Sequence, residues 1–369
     1  MNRSRPMAER QSWWRGSVSP IISSSIAVFV ALAIGGAVIA MTGSSVVEAF
    51  KALFEGAFGD RRAIGETIVS ATPLILGGLA FAIAARAGMF NIGIEGQLVM
   101  GAFAAGIIAT YDFGPRPLGI AVALIVGMAA GAVWGMIPGL LKAFSGAHEV
   151  ITTIMLNYLA LRIVSYAVNN LEWLPVNPPL QASDPALSDN RLPILLDGTR
   201  LHSGIVIAVV AALLLWWLLF RSVYGYKVRT VGISPGAAKY SGIPWKRTIV
   251  IAMVLSGLLA GLGGASETLG LQGRFYNVSP GYGFTAIAVG LVGRNHPIGV
   301  IAAGLLFGVL RSGATEMQNS AGVSKEIVQV LQGLVILAVA ASAYLATVRE
   351  RRAAARAAVS AAAPKGVEA

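Results

Sequence analysis

Apolar runs nearly free of charge, one after another, constrain this chain more than any other feature. Residues 21–47 carry no charged side chain. Similar runs occupy 64–85, 98–110, 118–141, 151–168, 204–220, 249–266, 281–293, 298–310 and 327–348, with only Glu66 and Arg162 inside them. A helix needs about 20 apolar residues to cross a bilayer, and several of these runs reach that length. Composition agrees: 56% of residues are hydrophobic and 12% charged, where a soluble domain carries about 25% charged residues. The expected fold is all-α, a polytopic membrane protein of about ten transmembrane helices, some of them short or broken.

The charges that remain are sorted along the chain. Arg3, Arg5, Arg10 and Arg15 face one acid, Glu9, before the pair Trp13 and Trp14. Residues 221–247 hold Arg221, Lys227, Arg229, Lys239, Lys246 and Arg247 and no acid, and Arg349, Arg351, Arg352 and Arg356 follow the last run. In the loop 169–203, Glu172, Asp184, Asp189 and Asp197 outweigh Arg191 and Arg200. Ten crossings place every basic segment on one side, where positive charge stays cytoplasmic. Both termini are therefore expected in the cytoplasm: a tail at 1–19, a transmembrane domain at 20–348 and a second tail at 349–369. The net charge of +11 is thus a topology signal, not a sign of nucleic-acid binding. Run 21–47 is too long for the core of a cleaved signal and reads as a first span. Residues 48–62, with Phe50, Leu53, Phe54 and Phe58 at helical spacing, read as an interfacial helix.

Two places break the pattern. Ala87-Gly88-Met89-Phe90-Asn91-Ile92-Gly93-Ile94-Glu95-Gly96-Gln97 follows the second span, and 269–280 with the short run 281–293 follows the seventh. Such a stretch is either a turn outside the membrane or non-helical backbone lining a cavity, where its polar groups find partners. Matching interruptions in two halves point to a pathway at a repeat interface, and the halves resemble each other weakly in this way. Within span five, Asn157 and Arg162 are either functional polar groups or structural ones. In the basic loop, Ser234 is placed as an N-cap, Pro235 at the first helical position, and Gly242 with Pro244 as a stop. A short helix over 235–241 is expected there, against the alternative of a plain solvated loop.

Several chemistries are missing. No Gly-x-x-x-x-Gly-Lys-Ser/Thr phosphate loop occurs, so ATP is not held by that route. There is no cysteine, and His148, His202 and His296 lack ligand spacing. Gly88, Gly93 and Gly96 have no preceding strand that would make them a dinucleotide loop. Glu95 and Glu267 are the only acids near the breaks, and neither has an evident catalytic partner. No catalytic residue and no metal site are expected.

Four stretches taken together carry a resemblance. They are residues 88–97, His148-Glu149-Val150-Ile151-Thr152-Thr153-Ile154-Met155-Leu156-Asn157-Tyr158, residues 231–243, and Gly281–Gly283 through Gly293-Arg294-Asn295-His296-Pro297. They resemble the permeases of bacterial nucleoside and simple-sugar ABC importers, a family that takes in ribose-type and branched-chain amino-acid permeases. With the long loop after span five, the set is most similar to the larger permease of a purine-nucleoside importer. The resemblance covers roughly residues 60 to 345; the N-terminal segment and alanine-rich tail carry none of its motifs.

The resemblance implies a permease in the bacterial inner membrane that is not itself an enzyme and needs no cofactor of its own. Its partners would be a second homologous permease, cytoplasmic ATPase subunits that bind the ATP and magnesium, and an extracytoplasmic substrate-binding protein. The helix 235–241 would be the coupling helix, with Ser234, Pro235, Ala237, Ala238, Lys239 and Tyr240 at the ATPase. For the pathway, Asn91, Glu95, Asn157 and Thr285 are the polar candidates and Phe90 and Phe284 the apolar ones. The competing reading is a gradient-driven carrier, which explains the breaks but gives the capped helix no role. A simple-sugar cargo within the same family is the further alternative, and a lipid-acting enzyme lacks its reactive cluster.

Overall fold

The computed structural model describes residues 12–277, 281–324 and 326–335, with the backbone alone for 12–25 and scattered positions from 337 to 348. The expected tails fall largely outside these residues. Helices dominate: α1 (Ser12–Met41), α2 (Val46–Phe58), α3 (Arg61–Arg86), α4 (Ile94–Ile108), α5 (Arg116–Leu140), α6 (Glu149–Asn170), α7 (Gly204–Arg221), α8 (Val223–Ile233), α9 (Pro235–Tyr240), α10 (Trp245–Ser266), α11 (Tyr282–Val292) and α12 (Pro297–Ser320). A further short apolar helix, α13, covers Glu326–Val335. Six helices among the described residues are long and apolar enough to span a membrane, and four shorter apolar ones accompany them. That makes the ten apolar segments expected from the sequence.

Two compact units divide the chain: Phe50–Ser320 is one, and the described residues up to Ala49 and from Ala321 form the other. In the smaller unit, Gly35 of α1 gives room to Leu331 of α13, whose Cδ1 would lie 3.0 Å from an added Cβ. In the larger unit α3 and α10 are interior: 83% and 72% of their apolar windows are buried, against 28–39% for the other long helices. A helix apolar all round belongs in such a place. Close packing there needs small residues. A Cβ on Gly131 of α5 would sit 2.3 Å from the Gly257 carbonyl oxygen of α10, and one on Gly101 of α4 would sit 2.4 Å from the Gly261 Cα.

Three boundaries differ from the sequence expectation. The ninth span does not stop at Leu310: α12 continues to Ser320, because its polar residues find partners. The Arg311 guanidinium lies 4.1 Å over the Tyr282 ring, and Ser312 donates to the Gly56 carbonyl at 2.9 Å. The basic loop 221–247 holds two helices rather than one, as α8 precedes the expected helix. The third span starts at Ile94 rather than Leu98, so the first break is shorter than its sequence suggested. The acidic loop carries a two-stranded ladder, β1 (Val176–Asn177) and β2 (Ala182–Ser183), and ties down residues 273–277. Ser183 N–H donates to the Phe275 carbonyl at 2.9 Å, and Ala186 N–H to that of Gly273 at 2.9 Å.

Candidate functional site

The two short helices begin together, beside the middle of α3. A Cβ on Gly77 of α3 would lie 2.6 Å from Ala286 Cβ of α11 and 3.5 Å from Ile94 Cγ2 of α4. From there they diverge. α4 runs toward the acidic loop, where Asn190 Nδ2 donates to the Ala109 carbonyl at 2.9 Å. α11 runs toward the opposite end, where Arg86 Nε donates to the Asn295 carbonyl at 3.0 Å and holds the left-handed turn at Arg294 and Asn295. At 1.5 Å per residue they are about 22 Å and 16 Å long, each too short to cross a core of about 30 Å.

The first N–H groups of a helix have no partner within it, and inside a bilayer nothing but protein can supply one. The residues expected to line a pathway supply it. Asn157 of α6 accepts from Gly96 N–H at 2.8 Å and donates to the Ile92 carbonyl at 2.9 Å. Thr153 beside it accepts from Ile92 N–H at 3.3 Å. Glu95 accepts from Gly281 N–H at 3.2 Å and Gly283 N–H at 2.5 Å, placing a carboxylate at the positive end of α11. Asn91 pairs with Gln97 in both directions at 3.0 and 3.3 Å, accepts from Gly93 N–H at 2.9 Å and donates to Ser256 of α10 at 2.9 Å. Ser256 in turn donates to the Ala80 carbonyl of α3 at 2.6 Å.

Of the six candidates, then, Asn91, Glu95 and Asn157 converge on one buried knot, and Thr285 donates to its own helix at the Gly281 carbonyl. Phe90 and Phe284 are 41% and 54% exposed, and Phe90 sits edge-on to Phe81 at 5.3 Å. Gln97, Thr153 and Ser256 are not among the candidates; the partners of Thr153 and Ser256 lie far along the chain, whereas Gln97 meets Asn91 six residues away.

A cavity of about 240 Å³ opens at the acidic-loop end. Leu98 and Ala102 of α4 form one wall; Glu267, Gln272, Phe275 and Tyr276 form the other. Glu267 starts a stretch of wider helical turns, Glu267–Gln272, that extends α10. Tyr282 and Gln272 donate to its Oε1 at 3.3 and 3.4 Å. Its Oε2 is buried with no hydrogen-bond partner, as are Ser266 Oγ and His202 Nε2. Arg311 and Arg200 are close enough to act on it electrostatically. Arg200 itself is held firmly protonated by its hydrogen bonds to Glu66, at 2.7 and 2.5 Å. The signal in the sequence was a lone acid at the end of a glycine-rich span, five residues before Gln272.

Two surfaces complete the picture. On α6, Arg162 is exposed between Tyr158 and Tyr166, with no acid in ion-pair distance among the described residues. A charge on the outward face of a spanning helix implies that this face meets protein or water rather than lipid. At the far end of α7, Ser234 caps α9 by accepting from Ala237 N–H at 3.2 Å, as the sequence predicted. Ala238 is fully buried against Ala84, Met89 and Val231 of the same chain. The outward side of α9 is therefore Pro235, Ala237, Lys239 and Tyr240, with Tyr240 97% exposed and Ile233 beside it 86% exposed.

Over residues 63–340 the chain matches the family described as the branched-chain amino acid transport system / permease component. It is 40% identical over 332 residues to the guanosine ABC transporter permease protein NupP of Bacillus subtilis, covering 88% of this chain and 94% of that one. It is 32% identical over 339 residues to the glucose ABC transporter permease protein TsgB13 of Haloferax volcanii, covering 88% and 87%. A second guanosine ABC transporter permease protein of Bacillus subtilis, NupQ, is 33% identical over 261 residues, covering 67% of this chain and 79% of that one. Relatives of this chain thus come in pairs within one organism.

Proposed function

We propose that this chain, which belongs to the family of branched-chain amino acid transport permease components, forms half of the pathway of an ATP-driven nucleoside importer. The observation that carries the reading is the 40% identity to a guanosine permease across nearly the whole of both chains. The other half is a second, homologous permease, as the pairing of NupP with NupQ suggests. Arg162, Tyr158 and Tyr166 on α6 then face that partner or the water between the two. Cytoplasmic ATPase subunits hold ATP and magnesium and dock on α9, whose exposed Tyr240 and Ile233 offer the aromatic and apolar contact that interfaces favour. An extracytoplasmic binding protein delivers cargo at the acidic-loop end, and both termini lie in the cytoplasm.

In this reading α4 and α11 are the rigid walls of the pathway, fixed to each other through Glu95, and Phe90 and Phe284 offer the cargo its apolar surface. A second cargo reading, a simple sugar, is favoured by the 32% identity to a glucose permease. Both are decided by one experiment. The permease, reconstituted with its partner permease, ATPase and binding protein, is expected to take up guanosine in strict dependence on ATP. ATP-driven uptake of glucose but not guanosine selects the sugar. Uptake that survives ATP depletion and collapses with an ionophore overturns the importer assignment in favour of a gradient-driven carrier.

A further inference from the structure

We propose that Glu267, which lines the cavity between α4 and residues 272–276, is a cargo contact: its carboxylate accepts a hydrogen from an N–H or O–H group of the passing nucleoside. The inference rests on the nucleoside reading above and names the site where that cargo is held.

The cavity has the chemistry of a place for a flat, partly polar molecule. Leu98, Ala102, Phe275 and Tyr276 make its apolar and aromatic walls, and Glu267, Thr268, Gln272 and Arg274 bring polar groups to them. Its volume of about 240 Å³ falls just below the roughly 300 Å³ from which small-ligand pockets run. Such pockets pair apolar walls with a few placed polar groups.

Glu267 is the group without a structural explanation. It is only 9% exposed, and burying a carboxylate is costly unless its lone pairs are used. Glu95 meets that condition, with both oxygens accepting backbone N–H groups. Glu267 does not: Oε1 receives two long hydrogen bonds and Oε2 receives none. A residue kept only for packing would be apolar here, at the end of a span whose neighbours Leu262, Ala265 and Leu269 are buried. The Arg311 guanidinium lies 4.1 Å over the ring of Tyr282, whose hydroxyl donates to Glu267 Oε1, so positive charge sits close to the carboxyl group. One filled acceptor also holds cargo loosely enough for release. The donor on a nucleoside is either the N–H edge of a guanine-type base or the ribose hydroxyl pair; both present the same hydrogen-donating chemistry to a carboxylate.

The test compares wild type with Glu267→Gln in the complete reconstituted importer, assayed for uptake of guanosine, adenosine and 2′,3′-dideoxyguanosine. The quantity read is the mutant-to-wild-type uptake ratio for each cargo, in which the binding protein's own preference cancels. For guanosine the ratio is expected to fall about tenfold, the size of one lost hydrogen bond. A ratio near one for adenosine identifies the base edge as the donor; a ratio near one for the dideoxy analogue identifies the ribose. Equal ratios for all three cargoes, whether near one or uniformly low, overturn the proposal, since a purely structural role does not distinguish them. Wild type that carries no nucleoside at all overturns instead the reading on which the proposal rests. Should the Gln variant fail to assemble, Glu267→Asp, which keeps the charge but shortens the reach, is read by the same ratios.

Discussion

Two interruptions of the helical pattern, residues 87–97 and the stretch from 269 that follows the seventh span, look alike in sequence and differ in how the polar groups in and beside them are used. At the first, Asn91, Glu95, Gln97 and Asn157 all find hydrogen-bond partners inside the protein. Around the second, Ser266 Oγ, Glu267 Oε2 and His202 Nε2 are buried without one. In a membrane interior a fully paired break is architecture: it holds non-helical backbone open by supplying what water would supply elsewhere. Unpaired buried groups are the exception among native structures and call for a role.

The largest effect that could break this contrast comes from the two acids. Glu95→Ala would leave the buried N–H of Gly283 and the half-buried N–H of Gly281 without their partner, at about 1–3 kcal/mol each. A loss of about 4 kcal/mol is expected, read as poor yield and early thermal unfolding of the purified permease complex. Glu95→Gln retains an acceptor oxygen and should lose about half as much. Glu267→Ala orphans no backbone group and strands only the Tyr282 hydroxyl and the Gln272 amide, whose bonds to it are long, so it should cost about 1–2 kcal/mol. Equal destabilisation by the two alanines would erase the distinction between the breaks.

A middle-sized effect sharpens the same contrast at Asn91. The amide is fully buried, so Asn91→Leu removes partners from Gln97, Ser256 and Gly93 N–H at once. About 3 kcal/mol of stability should be lost, given some 1 kcal/mol per hydrogen bond and more where a donor is stranded. The half-saturation for nucleoside uptake should not move, because the side chain has no open face toward cargo. A shifted half-saturation with intact thermal stability would return Asn91 to the pathway.

What the sequence made legible was local. The cap at Ser234 and the positions of both breaks follow from Gly, Pro and Ser placement within a few residues, and the apolar runs follow from composition. What it hid was pairing over distance. Asn91 meets Ser256 across 165 residues, and Glu95 meets Gly283 across 188, and such pairs leave no periodic trace. Arg311 reads as the end of a span because a charge usually is one, yet a tyrosine ring receives it and the helix runs on. The two alanines of α9 look equivalent in sequence, but only packing shows that Ala238 faces inward. Glu267 was visible as an acid near a break; its cavity was not, since the walls come from α4 and from residues 267–276.

The smallest effect concerns His202, next to the second break: a Cβ on Gly270 would lie 2.3 Å from its Nδ1. Nδ1 accepts from Gly204 N–H at 3.1 Å, which places the ring proton on Nε2, where it has no partner. Burial pushes its pKa down from 6.5 to about 4. The unfolded chain therefore takes up a proton near pH 6.5 that the folded protein refuses until about pH 4. Between those values the unfolded state binds more protons, so stability falls as pH drops and levels off below about 4. Between pH 6.5 and 5 the loss from this one group is about 1.5 kcal/mol, each pH unit of full linkage being about 1.4. Thermal unfolding of the purified complex across that range measures it. His202→Asn, which cannot titrate, should flatten the slope, whereas Asn91→Leu should lower stability at every pH and leave the slope alone, since Asn91, Gln97 and Ser256 carry no titrating group. An unchanged slope in His202→Asn would place the pH response elsewhere and remove one of the three unpaired groups that set the second break apart from the first.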